Sequence, residues 1–273
     1  MQILNSKAGI QSLTRQWTAA RFDDGRPQVS DDLLARMKLV TSEEAWVVLQ
    51  KHGYHYQFEG NWVQTHPDRI LVGRAVTAIM VPHRPDLNDL VEDMGKEEGR
   101  IGGQNSWVID TLELNDVLVV DMFGKVRDGT FIGDNLATSI KTRTKAGAVF
   151  HGGIRDHAGI CQMDDLAIFC RGLDPSAIKD MTLAGVNIPT RIGQATVLPG
   201  DIVLGTPTGV IFIPAHLAQE VVETSEDIRV RDEFGKLRLS QGTYTPGEID
   251  VGVWEERIEA DYQQWVQTRK GNG

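Results

Sequence analysis

The stretch from Gly133 to Asp156 constrains the fold most, because it changes from helical to strand periodicity within about twenty-five residues. Leu136, Ala137, Ile140 and Thr144 recur at helical spacing after Gly133-Asp134-Asn135, and Gly147 marks the stop. Asp134 or Asn135 is the expected N-cap. Ala148-Val149-Phe150 then reads as a buried strand that runs into Gly152-Gly153 and the pair Arg155-Asp156. A helix followed at once by a wholly apolar strand is a unit of an α/β fold.

The flanking chain repeats the theme. Residues 31–53 read as two helices, with Asp31 capping the first and Thr41 with Glu44 forming a capping box for the second. Strands are expected at 70–81, 117–120, 166–170, 182–186, 202–204 and 210–213, and short helices at 87–96 and 106–111. A further helix starts near Ala215, and Trp254, Ile258, Tyr262 and Trp265 mark a last one at i, i+4, i+8 and i+11. No repeat, low-complexity tract or linker interrupts this pattern. One α/β domain over 31–235 is expected, with an N-terminal extension over 1–30 and a helical C-terminal extension over 236–273 that packs or forms an interface.

Charge and cysteine content narrow the function. With 28 Lys plus Arg against 38 Asp plus Glu the chain carries a formal charge of −10, the wrong sign for gripping nucleic acid. No apolar run approaches the roughly 20 residues of a spanning helix, and the first twenty residues lack the apolar core of a secretory signal. The expected setting is cytoplasmic, without membrane or nucleic-acid partners. Cys161 and Cys170 are too few for a disulfide framework and lack CxxC spacing, so both are read as reduced and buried. Glycine, 28 of 273 residues, exceeds the usual share of about 7% and clusters around Asp134 and Asp156, as tight turns or a backbone-bound ligand require.

The chemistry of that cluster is specific in kind. A helix N-terminus offers unpaired N–H groups to a carboxylate or phosphate. Arg155 adds a planar fork for a carboxylate, and Asp156 a hard oxygen ligand suited to Mg²⁺ or Mn²⁺. Neighbouring strand residues face opposite ways, so Arg155 and Asp156 share a pocket only if the backbone bends, which Gly152 and Gly153 permit. On local geometry alone, convergence of the helix start with Arg155-Asp156 is not guaranteed, and a simple N-cap beside a surface ion pair is an equal reading. His151 and His157 flank the same turn and with Asp156 form a nitrogen-rich alternative for Zn²⁺ or Fe²⁺. Lys125, Arg127 and Asp128 lie just upstream, either reading a substrate's far end or in a solvated loop.

Gly133-x-x-Leu136-Ala137-Thr138, Ala146-Gly147 and Gly152-x-x-Arg155-Asp156 resemble the signature of the RraA-like family, which includes the 4-hydroxy-4-methyl-2-oxoglutarate/4-carboxy-4-hydroxy-2-oxoadipate aldolases and the regulator of ribonuclease E activity. Residues 71–78, 116–121 and Pro199-Gly200-Asp201 extend the likeness. The resemblance implies a swivelling β/β/α-type fold, a homotrimer or homohexamer with sites between subunits, and a divalent-metal, class II type retro-aldol cleavage of a hydroxy-2-oxo diacid to pyruvate, with oxaloacetate decarboxylation as a side activity. Carried over, Asp156 would ligate Mg²⁺ or Mn²⁺ and Asp134 would hold one of its waters. Arg155 would bind the 2-oxo acid and stabilise enolate charge, and the N–H groups of Asn135 and Leu136 would receive the substrate carboxylate. Glu233 is the best match for an acid lent by a neighbouring subunit.

Three places depart from the family pattern. His151 replaces an Asp, Gly159 replaces an acid three residues after Arg155-Asp156, and Gly205-Thr206-Pro207-Thr208-Gly209 lacks the usual acids. They keep two alternatives in view: a metal-dependent dehydratase or decarboxylase of a sugar-derived acid, and a non-catalytic, protein-binding regulator of a ribonuclease.

Overall fold

A computed structural model describes residues 3–270. By internal packing the chain divides into two compact units, Met1–Val222 and Glu223–Gly273. The first is built on a nine-stranded mixed sheet. Its strands in chain order are β1 (Phe58–Glu59), β2 (Val63–Gln64), β3 (Leu71–Pro82), β4 (Asp116–Asp121), β5 (Gly147–Ile154), β6 (Ala167–Leu173), β7 (Met181–Val186), β10 (Ile202–Thr206) and β11 (Gly209–Ile213), while β8 (Thr190–Ile192) and β9 (Ala195–Val197) form a separate hairpin. Spatially the order is β1-β11-β10-β3-β4-β5-β6-β2, with β7 also paired to β3. β3 to β6 run parallel and the flanking pairs are antiparallel.

The parallel strands are apolar on both faces because both are covered. Leu118, Val120, Ala148 and Phe150 lie in one cluster with Val108, Ala137 and Ile140 from helices. Val117, Val119 and Val149 lie in another with Ile192, Ala195 and Val197 of the β8–β9 hairpin. The helices expected at 31–53 form as Asp31–Met37 and Ser42–Lys51, and pack against β10 and β11. The Thr41/Glu44 capping box is present, but Ser30, not Asp31, caps the first helix by accepting the Leu33 N–H at 3.2 Å. Asp31 is occupied elsewhere: Arg74 donates to it at 3.0 Å and so does Asn115.

The N-terminal segment is tied to the sheet by a buried ion pair. Arg26, 1% exposed, donates from Nη1 and Nη2 to the two carboxylate oxygens of Asp116, the first residue of β4, at 2.8 and 3.2 Å. The β8–β9 hairpin and the two-residue strands β1 and β2 are absent from the expected elements, since stretches this short carry no periodicity.

In the second unit, Phe234 is fully buried, with Trp254, Tyr262 and Trp265 at ring distances of 5.4, 5.4 and 5.7 Å. The aromatic stripe therefore packs on its own unit. The last helix runs Glu256–Lys270, so Trp254 precedes it and joins the stripe from the loop, where its indole N–H donates to the Ile249 carbonyl at 2.9 Å.

Candidate active site

The convergence that sequence could not guarantee is achieved by a short added rung. After β4, residues 130–132 run parallel beside the end of β5: Thr130 bridges Gly153, Phe131 N–H donates to the Gly153 carbonyl and Arg155 N–H to the Ile132 carbonyl, both at 3.0 Å. This pairing delivers the start of the helix Asp134–Thr144 directly to Arg155 and Asp156. A Cβ on Gly133 would stand 2.2 Å from Asp156 Oδ2 and 3.1 Å from Arg155 Cζ, so any side chain there must displace the Asp156 carboxylate.

Gly133 is also the N-cap, which corrects the expectation of Asp134 or Asn135. Asp134 is the first helical residue, and its Oδ1 accepts the adjacent Asn135 N–H at 2.8 Å instead of reaching further into the helix. The Asn135 N–H is thus already engaged, while the Leu136 N–H has no acceptor among the described residues. The bend that lets Arg155 and Asp156 share a side occurs at Asp156 itself, which adopts the left-handed conformation at φ 58° and ψ 33°. Gly152 and Gly153 stay in β5, where the register shifts. Aspartate tolerates that conformation better than most side chains.

Arg155 Nη1 lies 3.3 Å from Asp156 Oδ2, and the Asp134 N–H faces the same oxygen at 3.4 Å. The two side chains keep 44% and 38% of their surface accessible, so neither is locked away from a ligand. Gly159 lies beside Asp134, where a Cβ would be 3.5 Å from Asp134 Oδ2. The arrangement is an open corner of one guanidinium, two carboxylates and a helix start.

The other candidates go elsewhere. His151 Nδ1 contacts Asp121 Oδ1 at 3.0 Å, with Arg191 Nε 3.8 Å from the other oxygen. His157 Nε2 lies 3.4 Å from Cys161 Sγ. Asp156 therefore has no pair of imidazoles, and among the described residues no group of three His, Cys, Asp or Glu could hold a metal ion. Asp121 escaped the sequence reading, although the register that sets it opposite His151 is the natural pairing of β4 with β5. Lys125 Nζ donates to the Lys179 carbonyl at 2.7 Å, and the Asp128 N–H to Ser176 Oγ at 2.6 Å. Glu233 pairs with Arg269 within the second unit. Both cysteines are free; Cys170 is buried, and burial pushes its thiol up to about 12, while Cys161 is only partly covered.

Comparison with known proteins identifies the fold that carries this corner. A family model described as RraA-like, Aldolase/RraA, matches residues 27–212. The chain belongs to the RraA-like family. DlpA of Legionella pneumophila is 32% identical over 136 residues, 50% of this chain and 22% of DlpA. A Halalkalibacterium halodurans protein named "Putative 4-hydroxy-4-methyl-2-oxoglutarate aldolase" is 31% identical over 125 residues, 46% of this chain and 59% of that protein. The matched stretch thus spans less than two thirds of either relative. Streptomyces coelicolor RraAS2, described as an unusual member of the RNase ES inhibitor RraA protein family, superposes with a TM-score of 0.65 at 25% identity, covering 78% of this chain and 98% of RraAS2. The RraA-like family contains both aldolases and ribonuclease regulators, and its mixed α/β fold is the one described above. No helix among the described residues is long and apolar enough to cross a membrane.

Proposed function

We propose that this RraA-like chain is a divalent-metal-dependent carbon–carbon lyase that releases pyruvate from a small hydroxy-2-oxo diacid. The observation that carries the reading is the accessible Arg155–Asp156 pair set against the start of the helix Asp134–Thr144, with Gly133 leaving no side chain between them. The donor set fits a hard cation that keeps most of its waters: one or two carboxylates and no imidazole. Asp156 would hold Mg²⁺ or Mn²⁺, with Asp134 reaching it through water, and the cation would supply Lewis-acid stabilisation of enolate charge.

The remaining work falls to the chain's own groups. Arg155 binds the 2-oxo acid and meets the negative charge that develops as the bond breaks. The free Leu136 N–H and the positive end of the helix dipole receive the substrate carboxylate. Asp134, exposed and beside the space left by Gly159, accepts the hydroxyl proton directly or through a water. The same enolate chemistry extends to oxaloacetate decarboxylation. Assembly as a homotrimer or homohexamer belongs to this reading, with sedimentation as its measure.

A screen of hydroxy-2-oxo diacids and oxaloacetate with and without Mg²⁺, reading pyruvate, tests the proposal. Asp156→Ala should lower metal-dependent turnover at least about 100-fold while the oligomer and its melting temperature persist. Full activity in that variant removes the central claim. Gly159, standing where the aldolases often carry an acid, favours a second reading: a dehydratase or decarboxylase of a sugar-derived acid on the same groups. The likeness to RraAS2 favours a third, a protein-binding regulator without turnover. Absence of pyruvate from every acid tested would select between those two by whether any acid is consumed.

A further inference from the structure

A cavity lies at the other end of the parallel strands. Its volume is about 360 Å³, and it is lined by residues 13–17 of the N-terminal segment together with Tyr54, Asp201 and His216. The family match begins at residue 27, so the 13–17 wall lies outside the shared fold. That wall is held in shape by Arg21, which donates to Thr14 Oγ1 at 2.7 Å and to the carbonyls of Thr14 and Trp17 at 2.8 and 2.7 Å. Ile202 pairs with Arg74 and Arg74 with Asp116, so Asp201 sits where β4 begins, whereas Arg155 and Asp156 follow where β5 ends. The cavity and the Arg155–Asp156 corner occupy opposite ends of the parallel strands.

Asp201 is the unusual member of the lining. It is 4% exposed, its Oδ2 accepts the Leu198 N–H at 2.8 Å, and the nearby Ala215 N–H favours its charged form. No cationic side chain pairs with it among the described residues. Burial pushes this carboxyl up to about 7. A buried carboxylate without a counter-charge is stabilised most by a small cation brought to it. Trp17 and Tyr54 line the same space, and aromatic rings attract cations. His216 is held below its ordinary value by burial and by nearby His52, so at neutral pH it adds no competing charge. Arg15, exposed, is the cation in the lining.

We propose that this cavity binds a small organic ammonium, its nitrogen against the Asp201 carboxylate and its apolar part against Trp17 and Tyr54. A simple primary amine and a free α-amino acid share that chemistry. Arg15 separates them, because only the amino acid has a carboxylate for it.

Calorimetric titration of the full chain with n-butylamine and with L-leucine, between about pH 5.5 and 8, tests the site. Both probes keep their ammonium charged throughout, so a proton and the probe compete for Asp201. Affinity should rise about tenfold per pH unit and level off near the Asp201 value of about 7. His216 works in the same direction only below its ordinary range, while burial moves Tyr54 upward and away from this window. Asp201→Asn, which keeps an oxygen for the Leu198 N–H, should lose at least about tenfold in affinity. Trp17→Ala should lose about fivefold, the worth of one cation–π contact, and serves should the Asn variant fail to fold. Arg15→Ala should weaken L-leucine alone if the amino acid is the ligand, and neither probe if a simple amine is. No binding of either probe at about 20 mM, or pH-independent binding unchanged in both Asp201→Asn and Trp17→Ala, overturns the proposal. Metal-dependent turnover is read separately, so failure of the lyase reading leaves this result standing.

Discussion

Two arginine–aspartate pairs mark the two ends of the parallel strands, and they are built in opposite ways. Arg26 and Asp116 are buried at 1% and 0% exposure and joined by two parallel hydrogen bonds. Arg155 and Asp156 are neighbours in sequence, keep 44% and 38% of their surface accessible, and meet through one 3.3 Å contact. An exposed pair contributes about 0–1 kcal/mol, so a ligand can take over its partners at little cost. A buried pair resists separation because removing one member strands the other's charge. The same two residue types thus anchor the chain at one end and keep their charges accessible at the other.

The largest expected effect breaks the anchoring pair. Arg26→Met takes from the buried Asp116 its main counter-charge, leaving the Glu113 N–H at 2.9 Å as its hydrogen-bond donor, and should cost about 3–5 kcal/mol of unfolding free energy in urea titration. Turnover per folded molecule should not change, and a loss matching Asp156→Ala would show that the two ends are not independent. Next comes Gly133→Ala at the open end. Its φ of −111° suits alanine, so the added Cβ acts by displacing the Asp156 carboxylate, and kcat/KM should fall about 100-fold with little change in melting temperature. Gly159→Glu tests the same corner by addition. A third carboxylate beside Asp134 should raise Mg²⁺ affinity about tenfold in calorimetry, since affinity follows the number of charged ligands.

The smallest effect per pH unit belongs to the buried end. The folded-state value of Asp201, about 7, lies above its unfolded value near 3.9, so between them the folded chain holds more protons than the unfolded one. Stability from this group is present below the unfolded value, is lost as pH rises through that interval, and is flat above it. Asp201→Asn should remove the slope, at most about 1.4 kcal/mol per pH unit, and urea midpoints of both proteins across pH 4 to 7 measure it. Parallel profiles would mean that the carboxyl is not perturbed.

How much of this was legible in the sequence depended on range. The helix and strand around Asp134 and Arg155 were readable because caps, spacing and glycines act within a few residues. The N-cap moved by one position because the Asp134 carboxylate bonds its immediate neighbour, a choice that periodicity does not record. What brings Asp134 to Asp156 is a backbone rung between 130–132 and the end of β5, and no side-chain pattern announces it. Arg26 and Asp116 are 90 residues apart, and their pairing depends on the whole sheet being assembled. The Asp201 cavity needs residues 13–17, 54, 201 and 216 together, four separate places in the chain.

The sheet ends in β1 and β2, two residues each. β7, the remaining flank, has its Val186 backbone taken up by Ile3 and Asn5. A border so brief or so occupied presents few unpaired amides and carbonyls to another strand. These borders therefore leave little room for a further strand to add by its backbone, and any recognition between copies would be written in side chains, where a single substitution can edit it.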